Sequence, residues 1–126
     1  MKFPDGLLYS ESHEWLKDTG GQATLGLTDY AQSQLKDIVY VELPEIGSEF
    51  KKGESIGVVE SVKTVADVYS PVTGKIIETN LTLKDSPQLV NEDPYGKGWM
   101  IKIKIVNPSE SGMLLNAEKY KALLGT

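Results

Sequence analysis

One lysine stands apart in this 126-residue chain. The segment Glu60-Ser61-Val62-Lys63-Thr64-Val65-Ala66-Asp67 holds Lys63 among apolar and small residues. Val68-Tyr69-Ser70-Pro71-Val72-Thr73-Gly74 follows and reads as a strand ending in a turn. Such a lysine serves either as a solvated charge or as the attachment point of a cofactor. From composition and pattern alone the solvated charge is the ordinary reading. Acidic residues are the other source of chemistry, as in Glu11 and Glu14, or Glu92 and Asp93. A solvated surface is their ordinary role. His13, in Ser12-His13-Glu14-Trp15, is read as a surface or core-edge histidine, with a ligand or proton-transfer role as the alternative.

Other chemistries are excluded by what the chain lacks. It has no cysteine, hence no disulfide, thiolate nucleophile or cysteine-bound metal. A single histidine excludes a multi-histidine metal site. Gly53-Glu54-Ser55-Ile56-Gly57 and Gly96-Lys97-Gly98 match neither a Walker loop nor a dinucleotide fingerprint. A net charge of −5 disfavours binding to a nucleic-acid backbone and leaves basic protein partners open. With 40% hydrophobic and 25% charged residues, the chain suits a soluble globular protein. Its length is that of one domain, spanning residues 1–126. Met1 to Gly6 does not read as a signal peptide, and no apolar window is long enough to predict a membrane span. Asn80-Leu81-Thr82 matches a glycosylation acceptor by chance.

The elements that must position Lys63 are short and β-rich. Strands are predicted at Gln22–Leu27, Ile38–Leu43, Ser55–Glu60, Val65–Tyr69, Lys75–Asn80 and Trp99–Val106. In the last, Ile101, Ile103 and Ile105 should face the core while Lys102 and Lys104 face solvent. Thr28 can cap a helix over Asp29–Lys36. Asn116 can cap one over Ala117–Leu124 that ends at Gly125 and buries Leu115, Ala122 and the Leu123-Leu124 pair. The arms Ser55–Ser61 and Val65–Tyr69, flanked by Gly53 and Gly74, suit a hairpin with Lys63 near its tip. Val62-Lys63-Thr64 lacks the Asn-Gly or Gly-X chemistry of tight hairpins, so one bent strand also fits.

The Lys63 segment, Glu60 to Gly74, resembles the lipoyl-attachment region of the glycine cleavage H-protein family. Ser12-His13-Glu14-Trp15 is similar to that family's N-terminal signature. Leu27-Thr28-Asp29-Tyr30-Ala31-Gln32 with Val39-Tyr40-Val41-Glu42-Leu43-Pro44 resembles its second block. Ser86-Pro87-Gln88-Leu89-Val90-Asn91 with Asp93-Pro94-Tyr95-Gly96-Lys97-Gly98-Trp99 resembles its third. These blocks run in order from about Tyr9 to Leu124, which reverses the ordinary reading of Lys63.

The resemblance implies a mainly β, lipoyl/biotinyl-type hybrid barrel-sandwich with short flanking helices, including a C-terminal one. It implies lipoate in amide linkage on Lys63, at a hairpin tip, on an arm reaching on the order of 10–15 Å. The protein would be a non-catalytic carrier, shuttling the aminomethyl group of glycine from the P protein (glycine decarboxylase) to the T protein (aminomethyltransferase). The L protein (dihydrolipoamide dehydrogenase) would reoxidise the arm. Lipoate-attaching enzymes would read Glu60, unless it is a plain strand charge. Ser12, Glu14 and Asp67 would form the cleft that receives the loaded arm. The expected location is a bacterial cytoplasm, or a mitochondrial matrix for a mature organellar chain. Two positions depart from the family pattern. Lys36 stands where glycine is common, and would be strained if the backbone there needs positive φ. Tyr30 stands where some members have histidine, so no proton role carries over. Still open are an H-like lipoate protein of sulfur oxidation or lipoate relay, a biotin carrier, and a structural β-module. Biotin sites usually flank the lysine with methionines, whereas Lys63 has Val62 and Thr64 beside it.

Overall fold

The computed structural model describes residues 1–125. Nine strands and four α-helices follow one another as β1 (Leu8–Tyr9), β2 (Glu14–Asp18), β3 (Gln22–Leu27), α1 (Asp29–Leu35), β4 (Ile38–Glu42), β5 (Glu49–Phe50), β6 (Ser55–Ser61), β7 (Val65–Tyr69), β8 (Gly74–Thr79), α2 (Thr82–Asp85), α3 (Leu89–Glu92), β9 (Ile101–Ile105) and α4 (Ala117–Leu124). A 3-10 helix, Pro108–Met113, precedes α4. The strands form two antiparallel sheets. One has the order β1-β2-β3-β9-β8-β5 and the other the order β4-β6-β7.

The main core lies between these sheets. Leu16, Leu25, Ile76, Ile101 and Ile103 come from the larger sheet, and Val41, Val59 and Val68 from the smaller. The alternation predicted for β9 holds: its three isoleucines are buried, Lys104 is exposed and Lys102 half-exposed. Burying one such side chain contributes about 1.5–3 kcal/mol, so the alternation fixes the register of β9 between β3 and β8. A second cluster of Tyr9, Trp15, Ala117 and Tyr120 packs α4 against β1 and β2. The Tyr9 and Tyr120 rings stack there at 4.7 Å.

Both predicted helix caps are present. Thr28 accepts from the Ala31 N–H at 3.2 Å, Asn116 accepts from Lys119 at 2.8 Å, and Gly125 ends α4 in the left-handed conformation. The buried face of α4 differs from expectation. Ala117 and Tyr120 are buried, Leu124 is half-buried, and Ala122 and Leu123 face solvent. Helical spacing of three and four residues groups positions 117, 120 and 124 on one face. The aromatic body of Tyr120 outweighs the aliphatic pair.

The two glycines flanking the Lys63 hairpin serve different physical ends. Gly53 has φ +89°, which suits a turn no β-carbon favours. Gly74 sits where a β-carbon would lie 2.5 Å from the Lys104 carbonyl oxygen, so β8 and β9 meet only because it is absent.

Candidate functional site

β6 and β7 form the hairpin, and Lys63 is exposed at its tip. The missing turn chemistry is supplied by Ser61. Its Oγ accepts from the N–H groups of Lys63 at 3.2 Å and Thr64 at 3.1 Å, and its own N–H donates to the Thr64 carbonyl at 2.8 Å. A serine side chain thus closes the turn without positive φ at Val62 or Lys63. The N–H of Val62 donates to the carbonyl of Asp37 at 3.1 Å, tying the tip to the α1–β4 corner.

That corner explains Lys36. It ends α1 at φ 67° and ψ −147°, a region suited to glycine. Asn91, from the third sequence block, holds the corner in place. It donates to the Lys36 carbonyl at 2.7 Å and accepts from the Ile38 N–H at 3.0 Å. The conditional expectation for Lys36 therefore resolves toward strain.

A groove of about 170 Å³ runs beside β7. Leu27, Ala31, Leu35, Val59, Ala66 and Val68 give it apolar walls, with Tyr30 and Gln34 of α1 on the far side. Ser12, His13 and Asp67 supply polar groups. Two residues expected to lie together, Ser12 and Asp67, thus share one groove. Asp67 is exposed and accepts from Ser55 at 2.8 Å.

Glu14 is placed differently from a solvated acid. Only 1% of it is exposed. It sits behind Ser12, which donates to its Oε1 at 2.6 Å, while Ser10 donates to the same oxygen at 2.5 Å. Its Oε2 accepts from the N–H of Tyr69 at 3.2 Å. Burial pushes its pKa up, and the serine hydroxyls and the Tyr69 N–H oppose that. This is a polar post between β2 and β7, invisible to a reading that expects acids at the surface. Glu60 lies elsewhere. It occupies the outer face of the small sheet, paired with Tyr40 on β4 and Val65 on β7.

His13 lines the groove with φ +74°. Its Nδ1 lies 2.8 Å from the Tyr120 hydroxyl, which lies 2.8 Å from Thr28 Oγ1. Thr28 Oγ1 also accepts from the Ala31 N–H, so the three side chains link the groove to the N-cap of α1. Burial lowers the pKa of His13 and pushes that of Tyr120 up to about 12. Tyr30 stacks at a tilt on His13, with ring centroids 4.8 Å apart. No local pattern signals this hydrogen-bonded trio, because Tyr120 is 107 residues from His13.

A two-sheet β domain with a lysine at the tip of a hairpin is the architecture of the lipoyl/biotinyl class, the hybrid barrel-sandwich. Comparison with known proteins narrows the class. The Glycine cleavage H-protein family model matches residues 7–126. A glycine cleavage system H protein of Carboxydothermus hydrogenoformans is 54% identical over 121 residues, covering 96% of this chain and 93% of the relative. Another, from Staphylococcus haemolyticus, is 50% identical over 125 residues and 99% of both chains. The crystal structure of a glycine cleavage system H protein from Mycobacterium marinum superimposes with a TM-score of 0.90 at 36% identity. It covers 98% of this chain and 100% of that one. The chain belongs to the glycine cleavage H-protein family, whose members are components of the glycine cleavage system.

Proposed function

We propose that this protein carries lipoate in amide linkage on Lys63 and serves as the mobile, non-catalytic carrier among the P, T and L proteins. The observation that carries the reading is the exposed Lys63 on a turn locked by Ser61 and by Asp37. The residues beside it fit the group. The apolar groove walls suit a hydrocarbon chain, and its polar groups suit a charged end. When bound, lipoate supplies a dithiolane that takes up and releases the aminomethyl group.

The chain's own residues supply presentation and shelter. Ser61 holds the backbone at Lys63, so the side chain leaves from a defined point. Glu60, three residues earlier on an exposed sheet face, offers a charge to a lipoate-attaching enzyme. Asp67 and Ser12 stand at the groove, and Glu14 behind Ser12 fixes the orientation of that hydroxyl. A cationic amine in the groove is attracted by the Asp67 carboxylate at its rim and by Glu14 behind Ser12. The absence of cysteine leaves no protein thiol to compete in disulfide exchange. A bacterial cytoplasm is the proposed location.

Reconstitution tests the pathway. Lipoylated protein mixed with P protein, pyridoxal phosphate and glycine is expected to support glycine decarboxylation. Failure with a fully lipoylated sample removes the glycine assignment and favours another lipoate pathway.

A further inference from the structure

We propose that a second cavity, between the 3-10 helix and the β5–β6 turn, is a binding site for a free α-amino acid with an apolar side chain, held between Lys52 and Glu11. The site lies apart from Lys63, and the inference does not rest on the reading of that residue.

The cavity has a volume of about 420 Å³. Four pieces of chain enclose it: the end of β1, the β5–β6 turn, the end of β7, and the stretch that leads from the 3-10 helix to α4. These pieces are already fixed to one another. Thr73 is the hub. Its hydroxyl accepts from the Lys52 N–H at 3.1 Å and donates to Glu110 Oε2 at 3.0 Å, and its own N–H donates to Glu110 Oε1 at 2.7 Å. One residue thus holds both the β5–β6 turn and the 3-10 helix. The Gly53 N–H donates to the Ser70 carbonyl and the Ser70 N–H to the Glu54 carbonyl, both at 2.8 Å, which pins the turn to the end of β7. Tyr9 and Leu115 exchange main-chain hydrogen bonds at 2.7 and 2.8 Å and fix the remaining side. A cavity built in this way spares a ligand the cost of ordering its walls.

The lining divides by character. Met113, Leu114, Leu115 and Pro71 form an apolar wall. Lys52 and Glu11 supply one ammonium and one carboxylate, and neither forms an ion pair among the described residues. The Lys52 ammonium lies 3.9 Å from the sulfur of Met113, a weak acceptor that leaves its charge unanswered. The nearby buried acid does not answer it either. Glu14 is taken up by Ser10, Ser12 and the Tyr69 N–H. A ligand that fits has three parts: a carboxylate for Lys52, an ammonium for Glu11 and an apolar body for the wall. A zwitterionic α-amino acid with an aliphatic side chain carries all three. Glycine would leave the wall bare, whereas each methylene that covers it leaves water and adds affinity. A plain carboxylic acid leaves Glu11 without a partner, and a plain amine leaves Lys52 without one.

The test is an amide NMR titration of the full chain with L-leucine, with isocaproate, which lacks the amino group, and with isoamylamine, which lacks the carboxylate. Leucine is expected to give saturable shifts at Lys52, Gly53 and Leu114, with a Kd of about 10 mM or lower, while Lys104 of β9, outside the cavity, stays unmoved. Each analogue should bind at least about threefold more weakly than leucine. Lys52→Gln should weaken leucine and isocaproate and leave isoamylamine unchanged, and Glu11→Gln should weaken leucine and isoamylamine and leave isocaproate unchanged. A merely structural role for either residue would weaken all three compounds alike. No saturable shift with leucine, an analogue that binds as tightly as leucine, or variants that weaken all three compounds equally would overturn the site. None of these outcomes bears on the carrier reading of Lys63.

Discussion

Replacing Lys36 by glycine should stabilise the protein, although the substitution removes a side chain and adds backbone freedom. Lys36 sits at φ 67° and ψ −147°, close to the region that only glycine occupies without penalty. A non-glycine residue held there costs of order 1–3 kcal/mol. Glycine restores about 0.5–1 kcal/mol of unfolded-chain entropy, which acts in the opposite direction. The net gain is about 1 kcal/mol. At roughly 2.1 cal/mol/K per residue, that is a rise of about 4 °C in Tm for a chain of 126 residues. The exposed lysine side chain contributes little, so Lys36→Ala, which keeps a β-carbon and its strain, should stay within about 0.5 kcal/mol of wild type. Thermal unfolding followed by circular dichroism measures all three proteins. If Lys36→Gly melts at or below the temperature of Lys36→Ala, the strain argument is wrong. The position matters beyond stability, because Asp37, the next residue, anchors Val62 in the Lys63 turn.

Two further predictions concern the groove. His13 is the sole histidine, and burial lowers its pKa in the folded state. It therefore contributes stability above its unfolded value of about 6.5 that is lost as pH falls through the folded value. Glu14, with a raised pKa, acts in the opposite sense. Its contribution is complete below an unfolded value of about 4.3 and is lost as pH rises through the folded value. The diagnostic quantity is thus the difference between wild type and His13→Asn, a residue that tolerates positive φ. From pH 7 to 5, urea unfolding should show wild type losing stability relative to the variant, and a constant difference would contradict the burial argument. Glu14→Gln and Asp67→Asn should each shorten the lifetime of the loaded form by roughly tenfold, the effect of about 1.4 kcal/mol of lost charge interaction. Mass spectrometry of isolated loaded protein follows the decay, and unchanged lifetimes would remove these residues from the groove's work.

Local features were the legible part of the sequence. β3 and β7 match their predicted spans, and the hairpin arms coincide with β6 and β7. The caps Thr28 and Asn116 were readable because capping depends on one residue and its immediate neighbours. β1 and β5 are two residues each, and α2 and α3 are single turns without a side-chain cap. Segments that short carry no period to detect. β2 was missed because Glu14, Trp15 and Leu16 are buried in succession, breaking alternation. The groove is non-local. Ser12, Tyr30 and Asp67 meet only once two sheets and α1 have packed. The turn at Lys63 escaped pattern rules because a serine side chain, not a glycine, closes it.

The central claim is that Lys63 is the anchor of a covalent lipoyl group. Its most direct test is the intact mass of the protein purified from lipoate-supplied cells, with peptide mapping and a Lys63→Ala control. The expected result is a mass increase of one lipoyl group, mapped to Lys63 and absent from the control. An unmodified mass, a biotinyl adduct, or the same lipoyl adduct on Lys63→Ala would contradict the account.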